Sequence, residues 1–467
     1  MKEKFCMIYI ALILAILIVP LAGMSFWPTD STTENRELSG FPSFMKDGKP
    51  NIEYMEDMGT YFEDHMAFRP HMLTANACIW DKLAKTSTTD QVVTGKDGWL
   101  YFGGTIDDYT GRNLLSDREL YNIAHNLALL RDYVEQNGSR FLLVIAPNKN
   151  TLYDDSMPYY YKRADVSNLE NLQPLLEEKD IACIDLVGAF REEEKVLYFR
   201  RDTHWNNEGA VLAYNAVMNE LEKEHETYLN VPVQKVKDHI GDMDELLYPL
   251  AAEAEEDIYY DKEWQYEYVS EVADHMDPWI ETSNPKKLGS LLMYRDSFGE
   301  SLLPFFAEEY RNAYFSRLVP YNMENLIRYQ PDTVIVEKAE RQIAAFGTEI
   351  PIMEGPVVNN MSAPERKTET TLETEQDGPY LVVGGTIDPD CMTDQTDVYL
   401  SVSDSSRQKT VTYEVFYTLK KDGDGNGYKM YLKRDSLPAD DIHMNVIISD
   451  KDAQWIVQSE DITVTWE

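Results

Sequence analysis

Basic residues are scarce in this chain. Its 467 residues include 43 Lys and Arg against 82 Asp and Glu, a formal net charge of −39. Nucleic-acid binders need concentrated Lys and Arg to displace counterions from phosphate, so this balance excludes a nucleic-acid partner. The same acidic field repels anionic lipid headgroups away from any inserted segment. Cysteine is scarce too: Cys6, Cys78, Cys183 and Cys391 are too scattered for a disulfide framework and form no C-x-x-C pair. No metal or cofactor site is expected. His65 and His71 have no third ligand near them. Asp422-Gly-Asp-Gly-Asn-Gly427 opens like a calcium loop but puts Lys433 where a bidentate Glu is required, so a hairpin turn is expected there. Apolar residues are plentiful, at 43% hydrophobic and 12% aromatic, enough for packed cores in about two or three domains.

One long uncharged run stands at the start. Phe5 to Gly23 follows Lys2 and Lys4, and at 1.5 Å per residue it spans about 28 Å, close to a bilayer core. With lysines before it and acidic sequence after, residues 1–27 are expected to anchor the chain in the cell membrane by a single pass. The bulk would lie outside the cytoplasm, periplasmic or at the cell surface. Leu21-Ala22-Gly23 loosely resembles a cleavage site, so a cleaved signal segment is the other reading.

Residues 28–92 read as a juxtamembrane helical stalk. Ser31-Thr-Thr-Glu34 matches a capping box but runs into Gly40 and Pro42, which predicts a local turn, and a helix is predicted from about Ile52 to Lys85. From residue 93 the pattern changes. Gly95–Phe102 reads as a turn and an aromatic strand, and Ser116 and Glu119 form a capping box. Leu120, Ile123, Leu127, Leu130 and Val134 then share one helical face. Phe141–Ala146 is apolar throughout, as a strand buried on both faces of a parallel sheet should be. Helix-then-strand alternation recurs at Leu172–Glu178 into Ile181–Leu186 and at Met323–Tyr329 into Thr333–Glu337, so residues 93–348 form an α/β domain with a mostly parallel sheet.

Within it lies an acidic, aromatic insertion, 253–281. Its rings could stack on sugars, or form an amphipathic hairpin that covers the domain. Residues 349–378 read as a polar linker. Residues 379–467 carry short β-rich runs at Tyr380–Val383, Val398–Val402, Val411–Tyr417, Asn445–Ile448 and Ile462–Trp466, a β-sandwich.

Two segments carry chemistry. In Arg201-Asp-Thr-His-Trp-Asn206, Asp202 lies two residues before His204 on one loop, where a carboxylate can fix the imidazole tautomer and stabilise its protonated form. In Leu288–Glu300 an apolar strand stops at Tyr294, Ser297 sits at the turn, and Glu300 to Tyr310 reads as a helix. Strand, tight turn, serine, helix exposes an Oγ at the carboxyl edge of a sheet, and the helix start would offer N–H groups to a developing oxyanion. Separately each is weak; together they supply nucleophile (Ser297), base (His204) and orienter (Asp202).

The Asp-x-His-Trp of residues 202–205 resembles the signature of the alginate O-acetyltransferase branch of SGNH-hydrolase-like proteins, which includes the DHHW proteins. Arg295-Asp-Ser-Phe298 is similar to that branch's nucleophile block. Gly95–Phe102, Pro147-Asn-Lys149 and Pro331–Glu337 with Glu340-Arg341 also fall where the family has comparable segments. The resemblance covers roughly residues 30–345, and Asp and His preceding Ser is typical of the branch. It implies an SGNH-hydrolase-like parallel sheet flanked by helices. It also implies an extracytoplasmic enzyme that takes acetyl onto Ser297 and passes it to a polysaccharide hydroxyl, beside a membrane-bound O-acyltransferase that supplies the acetyl. Asn148 is a candidate oxyanion donor, and Lys149 and Arg295 are candidates for gripping an anionic sugar. The C-terminal β-sandwich falls where some relatives carry a carbohydrate-binding module, an expectation for residues 379–467, but no motif in it aligns with theirs, which leaves the polymer open among alginate, cellulose, cell-wall and capsular glycans. A secreted acetylesterase with the same triad and a non-catalytic glycan-binding surface protein are the competing readings.

Overall fold

In the run Phe141–Ala146 successive side chains must point to opposite faces, and every one is apolar, so both faces of the strand have to be covered. The computed structural model, which describes residues 2–27, 38–46, 48–419, 425–450 and 453–465, places Arg140–Ala146 at one edge of a six-stranded sheet between two helical layers. Next to it run Thr333–Ala339, Ser290–Tyr294 and Asn312–Ser316, all parallel. Trp279–Ser283 and Glu267–Tyr268 then finish the sheet in the antiparallel sense, so it is mixed. Leu142 and Val144 join a core with Val211, Tyr214 and Phe305 from the helices Asn207–Glu220 and Leu303–Glu309. Their neighbours Phe141 and Leu143 join the opposite core with Leu120, Ile123 and Leu127 from Asp117–Gln136 and Leu172 from Asn168–Glu178. The Ser116–Glu119 capping box starts the first of these helices, and Gly138, at φ +85°, follows its end.

Several expectations need correction. The long stalk helix is two helices, Tyr54–His65 and Arg69–Ala84, broken where Phe68 takes a left-handed conformation and Pro70 occupies the first turn of the second. Ile181–Leu186 is not a strand. It makes one parallel bridge, Leu143 to Cys183, before Asp185 caps a short helix, Leu186–Arg191, by accepting the Gly188 N–H. The polar segment 349–378 is not free: Val357–Val358 and the charged strand Glu373–Asp377 pair at the edges of the two C-terminal sheets. Charge on such strands blunts edge-to-edge association, which a composition reading mistakes for a linker. Part of the insertion 253–281 covers the domain. Glu255–Tyr260 pairs back to Val233–His239, and Tyr260, Trp264 and Tyr266 pack on the core. The capping-box pattern at Ser31–Glu34, most of the turn around Asp422 and the end of the last strand at Trp466 lie outside the described residues.

At the C-terminus a five-stranded and a four-stranded sheet enclose a shared apolar core, a β-sandwich. Gly427–Lys433, which the sequence pattern did not mark, is a strand of the smaller sheet. The sandwich is fastened to the α/β body by a buried amide. Asn126 Nδ2 donates to the carbonyls of Phe346 (3.1 Å) and Tyr417 (2.8 Å), and its Oδ1 accepts the Tyr417 N–H at 2.8 Å. Asn126→Leu leaves those backbone groups buried and unpaired, so a loss of about 2–4 kcal/mol is expected. Chemical denaturation of the full chain measures it, and an unshifted midpoint would sink the claim.

The N-terminal helix Lys2–Gly23 includes the stretch Phe5–Gly23, which is long and apolar enough to cross a membrane. Side chains such as Phe5, Ile8 and Ile16 lie exposed along it.

Candidate active site

Ser297 is held by its neighbours' carboxylates. The strand Ser290–Tyr294 ends, the Arg295 N–H still reaches Ser316 O at 2.9 Å, and the chain then turns. Asp296 fixes the turn with both oxygens, accepting the Phe298 N–H and the Ala339 N–H at 2.8 Å each. The Asp296 N–H donates to Glu337 Oε2 at 3.0 Å. Glu337 is fully buried, and burial followed by the nearby Asp296 charge pushes its pKa well up. Gly299 is required there, because a Cβ would come within 2.9 Å of Arg295 and Glu337 atoms. The expected helix from Glu300 is a three-residue turn, Phe298–Glu300, followed by Leu303–Glu309 with Pro304 in its first turn. The oxyanion expectation weakens accordingly: the Phe298 N–H is committed to Asp296, and the helix proper starts at Leu303, well past Ser297.

The loop 201–206 faces this turn. Leu197–Asn206 folds back on itself, the Asn206 N–H bonding Leu197 O at 2.9 Å, and Asn206 caps the next helix by accepting the Gly209 N–H at 3.0 Å. His204 Nε2 lies 2.9 Å from Ser297 Oγ, and its Nδ1 lies 2.8 Å from Asp202 Oδ1, which also accepts the His204 N–H at 2.8 Å. Phe298 meets the His204 ring edge-on at 4.8 Å, and the Trp205 Nε1–H donates to Ser301 Oγ at 2.6 Å, which ties the loop to the serine turn. Asp202 is buried while His204 and Ser297 are half-buried, so the hydrogen-bonded chain runs from the interior toward solvent.

The remaining sequence-predicted residues do not face a substrate. Lys149 is buried, and its Nζ donates to the carbonyls of Phe199 (3.1 Å), Arg200 (3.1 Å) and Asp202 (2.6 Å), beside the rings of Trp99 and Tyr101. Burial lowers its pKa to about 7, against the pull of Asp202, Asp242 and Glu255. Arg295 is buried with its guanidinium on the carbonyls of His275 and Asp296. Asn148 is buried too, its Nδ2 on Asp108 Oδ2 at 3.2 Å and its N–H on Glu340 Oε2 at 2.8 Å. The two cations therefore brace the scaffold, and neither is free to grip an anionic sugar.

Sequence reasoning missed His239. Its Nε2 lies 3.0 Å from Asp202 Oδ2, which also accepts the Asp242 N–H at 3.0 Å, and its ring stacks on Phe199 at 3.6 Å. No spacing rule points to a histidine 35 positions beyond His204; only the hairpin register brings it there. Asp242 in turn accepts the Thr203 N–H at 2.8 Å and holds the loop from outside. Ligand atoms of Asp202, His204 and Asp242 lie within 4.8 Å of one another, as do those of His125, Asp397 and Glu414. Hydrogen bonds within the group account for the first cluster, and bonds to residues outside the group occupy the second. In the second, the His125 ring nitrogen Nε2 faces Val415 O, and Asp397 accepts from the Tyr121 and Tyr417 hydroxyls.

The electrostatics set a pH dependence. Burial alone would raise the pKa of Asp202, but hydrogen bonds from His204 and His239 outweigh it and hold the carboxyl well below its usual range. Burial works against a charged His204, yet the Asp202 bond leaves its pKa raised above the ordinary histidine value of about 6.5. Proton removal from Ser297 needs neutral His204, so its rate is expected to climb with pH through that raised value. Stability runs the other way: the His204–Asp202 contribution is complete below the unfolded histidine pKa and is lost as pH rises through the folded one. The depressed Asp202 adds stability that is present above its unfolded pKa and lost on acidification. A pH–rate profile of serine acylation whose rising limb falls below pH of about 6 would contradict this reading.

Residues 92–275 match the family model described as the SGNH hydrolase-like domain of the acetyltransferase AlgX. The α/β body thus carries the SGNH-like fold, and the sequence resemblance to the alginate O-acetyltransferase branch is borne out. The probable alginate O-acetylase AlgJ of Pseudomonas syringae pv. tomato is 25% identical over 219 residues, 46% of this chain. The chain spans about half (51%) of that curated relative's length. Among solved structures, a DHHW family protein from Eubacterium siraeum is 15% identical with a TM-score of 0.42, covering 55% of this chain and 93% of that one. The O-acetyltransferase domain of Pseudomonas putida AlgJ is 17% identical with a TM-score of 0.38, covering 54% of this chain and 91% of that one.

Proposed function

We propose that this chain is an extracytoplasmic serine-dependent O-acetyltransferase that carries acetyl through Ser297 to a hydroxyl of an exopolysaccharide or cell-wall glycan. The observation that carries the proposal is the unbroken hydrogen-bonded series Ser297 Oγ, His204 Nε2, His204 Nδ1, Asp202 Oδ1, at 2.9 and 2.8 Å. Matches to a family model and a curated relative named for O-acetyl transfer support the same chemistry. In the first half-reaction His204 takes the Ser297 proton as Oγ bonds the acetyl carbon, and then returns it to the departing oxygen of the donor. In the second, His204 takes the proton of a sugar hydroxyl as that oxygen displaces Ser297, and the proton returns to Oγ. Asp202 stays ionised throughout and stabilises the imidazolium.

The apolar helix Phe5–Gly23, with Lys2 and Lys4 before it, supports a single-pass anchor with the α/β body outside the cytoplasm; the resemblance to O-acetyltransferases adds a membrane-bound O-acyltransferase as the source of acetyl. Protease treatment of cells stripped of any outer membrane should degrade the body and leave the N-terminal helix with the inner membrane; a body protected from protease there would exclude this orientation. The half-exposed Ser297 and His204 also admit water, which favours an acetylesterase as the second reading. One experiment tests both. The full chain in detergent receives a chromogenic acetyl ester, and mass spectrometry follows the peptide containing Ser297. A single added acetyl group there, discharged onto an oligosaccharide, is expected. Discharge to free acetate across chemically varied acceptors supports the esterase, and no adduct at Ser297 removes the serine mechanism.

A further inference from the structure

A groove of about 800 Å³ opens where the segment Thr86–Thr94 passes the turn at Phe102–Gly104, with Tyr160 and Tyr161 on its rim. Its size is that of a small-molecule site. It adjoins the serine site through Arg341, whose guanidinium lies 5.4 Å from the Phe102 ring and 5.5 Å from the ring of Phe298, the residue after Ser297. The walls are hydroxyl- and amide-rich, with Thr86, Ser87, Thr89 and Gln91 on one side. Thr94 also lines the groove, and its buried Oγ1 has no hydrogen-bond partner. Tyr160 is half exposed and packs edge-on against Tyr159 at 5.5 Å, which presents aromatic surface to an occupant.

Charge decides what such a groove can hold. Among the described residues lining it, Arg112 is the only cation, and it faces Asp107 at 3.3 Å, whereas the carboxylate of Asp90 has no cation beside it in the groove wall. Near the serine, Lys149 is spent on three carbonyls, Arg295 on two, and Arg201 on Asp244, while Arg341 lies in the field of Asp108. Over the whole chain the net charge of −39 repels a polyanion at long range. A polyuronate would bring one carboxylate per sugar toward Asp90, Asp107 and Asp108, three carboxylates against the two cations Arg112 and Arg341. A neutral sugar instead offers hydroxyls to the threonine wall and C–H faces to the tyrosines.

Resting on the acetyltransferase reading, we infer that the groove bounded by Thr86–Thr94, Phe102 and Tyr160–Tyr161 binds the acceptor, and that the acceptor is an uncharged glycan rather than a polyuronate. The test is binding by the full chain in detergent, by titration calorimetry without acetyl donor, so that no chemistry intervenes. The probes are three neutral pentasaccharides (of β-1,4-glucose, of β-1,4-N-acetylglucosamine and of β-1,4-mannose) and a pentamer of mannuronate. At least one neutral probe is expected to bind at least tenfold more tightly than the uronate, with the gap narrowing as salt is added. Tyr160→Ala is expected to weaken the neutral ligand about tenfold, and Thr89→Trp, which fills the groove, to abolish binding. Equal or tighter binding of the uronate overturns the substrate class, as does failure of all three neutral probes. Unchanged affinity in both variants overturns the location. A parallel chromogenic-ester assay keeps the two proposals apart: loss of Ser297-dependent cleavage with selective binding intact counts against the transferase mechanism and not against the groove.

Discussion

Ser297→Ala is expected to lower acetyl transfer by about 10⁴-fold or more without unfolding the protein. The substitution deletes one oxygen whose described hydrogen bond is to His204 alone, so little of the packing depends on it. The turn itself is fixed by Asp296, through the Phe298 and Ala339 N–H groups, and survives the change. His204→Ala should cost about as much, because base and nucleophile act as a unit. Its removal leaves Asp202 still accepting from the residue 204 N–H, the Asp242 N–H and His239, so the loop keeps its anchor. Asp202→Ala should differ in kind. It removes the partner of all those donors at once, and both activity and stability should fall. Rates of acetyl release from a chromogenic ester, paired with denaturation midpoints for each variant, separate these outcomes. Wild-type rates in Ser297→Ala would end the serine mechanism.

How much of this was legible beforehand depended on whether the signal was local. The helix Asp117–Gln136 could be read because its apolar residues recur at helical spacing and its capping box lies within four residues of sequence. Asp202 and His204 could be read because they lie two positions apart on one loop, and Ser297 because a buried strand ends just before it. The junction between those segments rests on non-local geometry: Trp205 reaching Ser301 and His204 reaching Ser297 are contacts across more than 90 residues. The junction was read from the complementary roles of the two segments, nucleophile against base and orienter, and the motif resemblance pointed the same way; periodicity did not carry it.

The misreadings share a physical origin. Ile181–Leu186 has strand-like composition, but Asp185 and Gly188 offer a helix cap, and the local bond outcompetes the sheet. Glu373–Asp377 has linker-like composition yet pairs along an edge, since an edge strand needs backbone partners and not apolar side chains. Lys149 and Arg295 looked like substrate cations because a sequence shows charge and hides burial. Lys149 is enclosed by carbonyls some fifty residues away in sequence, and Arg295 by those of His275 and of its own neighbour Asp296. His239 is the converse case, a residue with no motif that a hairpin carries to the second oxygen of Asp202.

Lys149 therefore becomes the site of the second large effect, in a role opposite to substrate binding. Its ammonium gathers the carbonyls of Phe199, Arg200 and Asp202, the stretch that aims His204 at Ser297. Lys149→Met keeps the volume and removes all three Nζ bonds; Arg200 O keeps the Leu100 N–H at 2.8 Å, but the carbonyls of Phe199 and Asp202 lose their Lys149 donor, at a cost of about 2–4 kcal/mol. With that brace gone the loop relaxes, and a displacement of about 1 Å between His204 and Ser297 is worth about a hundredfold in rate. Lys149→Arg should not rescue, because the planar guanidinium cannot converge three donors on one point in a closed site packed by Trp99 and Tyr101. Burial gives the wild type a further mark. The folded Lys149 pKa, near 7, lies below its unfolded value of about 10.4, so the unfolded chain binds the extra proton between them and the Lys149 contribution to stability rises with pH across that window. Lys149→Met should lose this slope. The decisive readout is the rate of Ser297 acylation per folded molecule: a substrate-gripping lysine would raise KM and spare the acylation rate at saturating ester, whereas a positioning lysine lowers the rate itself. A Lys149→Met protein that stays folded and acylates at the wild-type rate would show that the brace is dispensable.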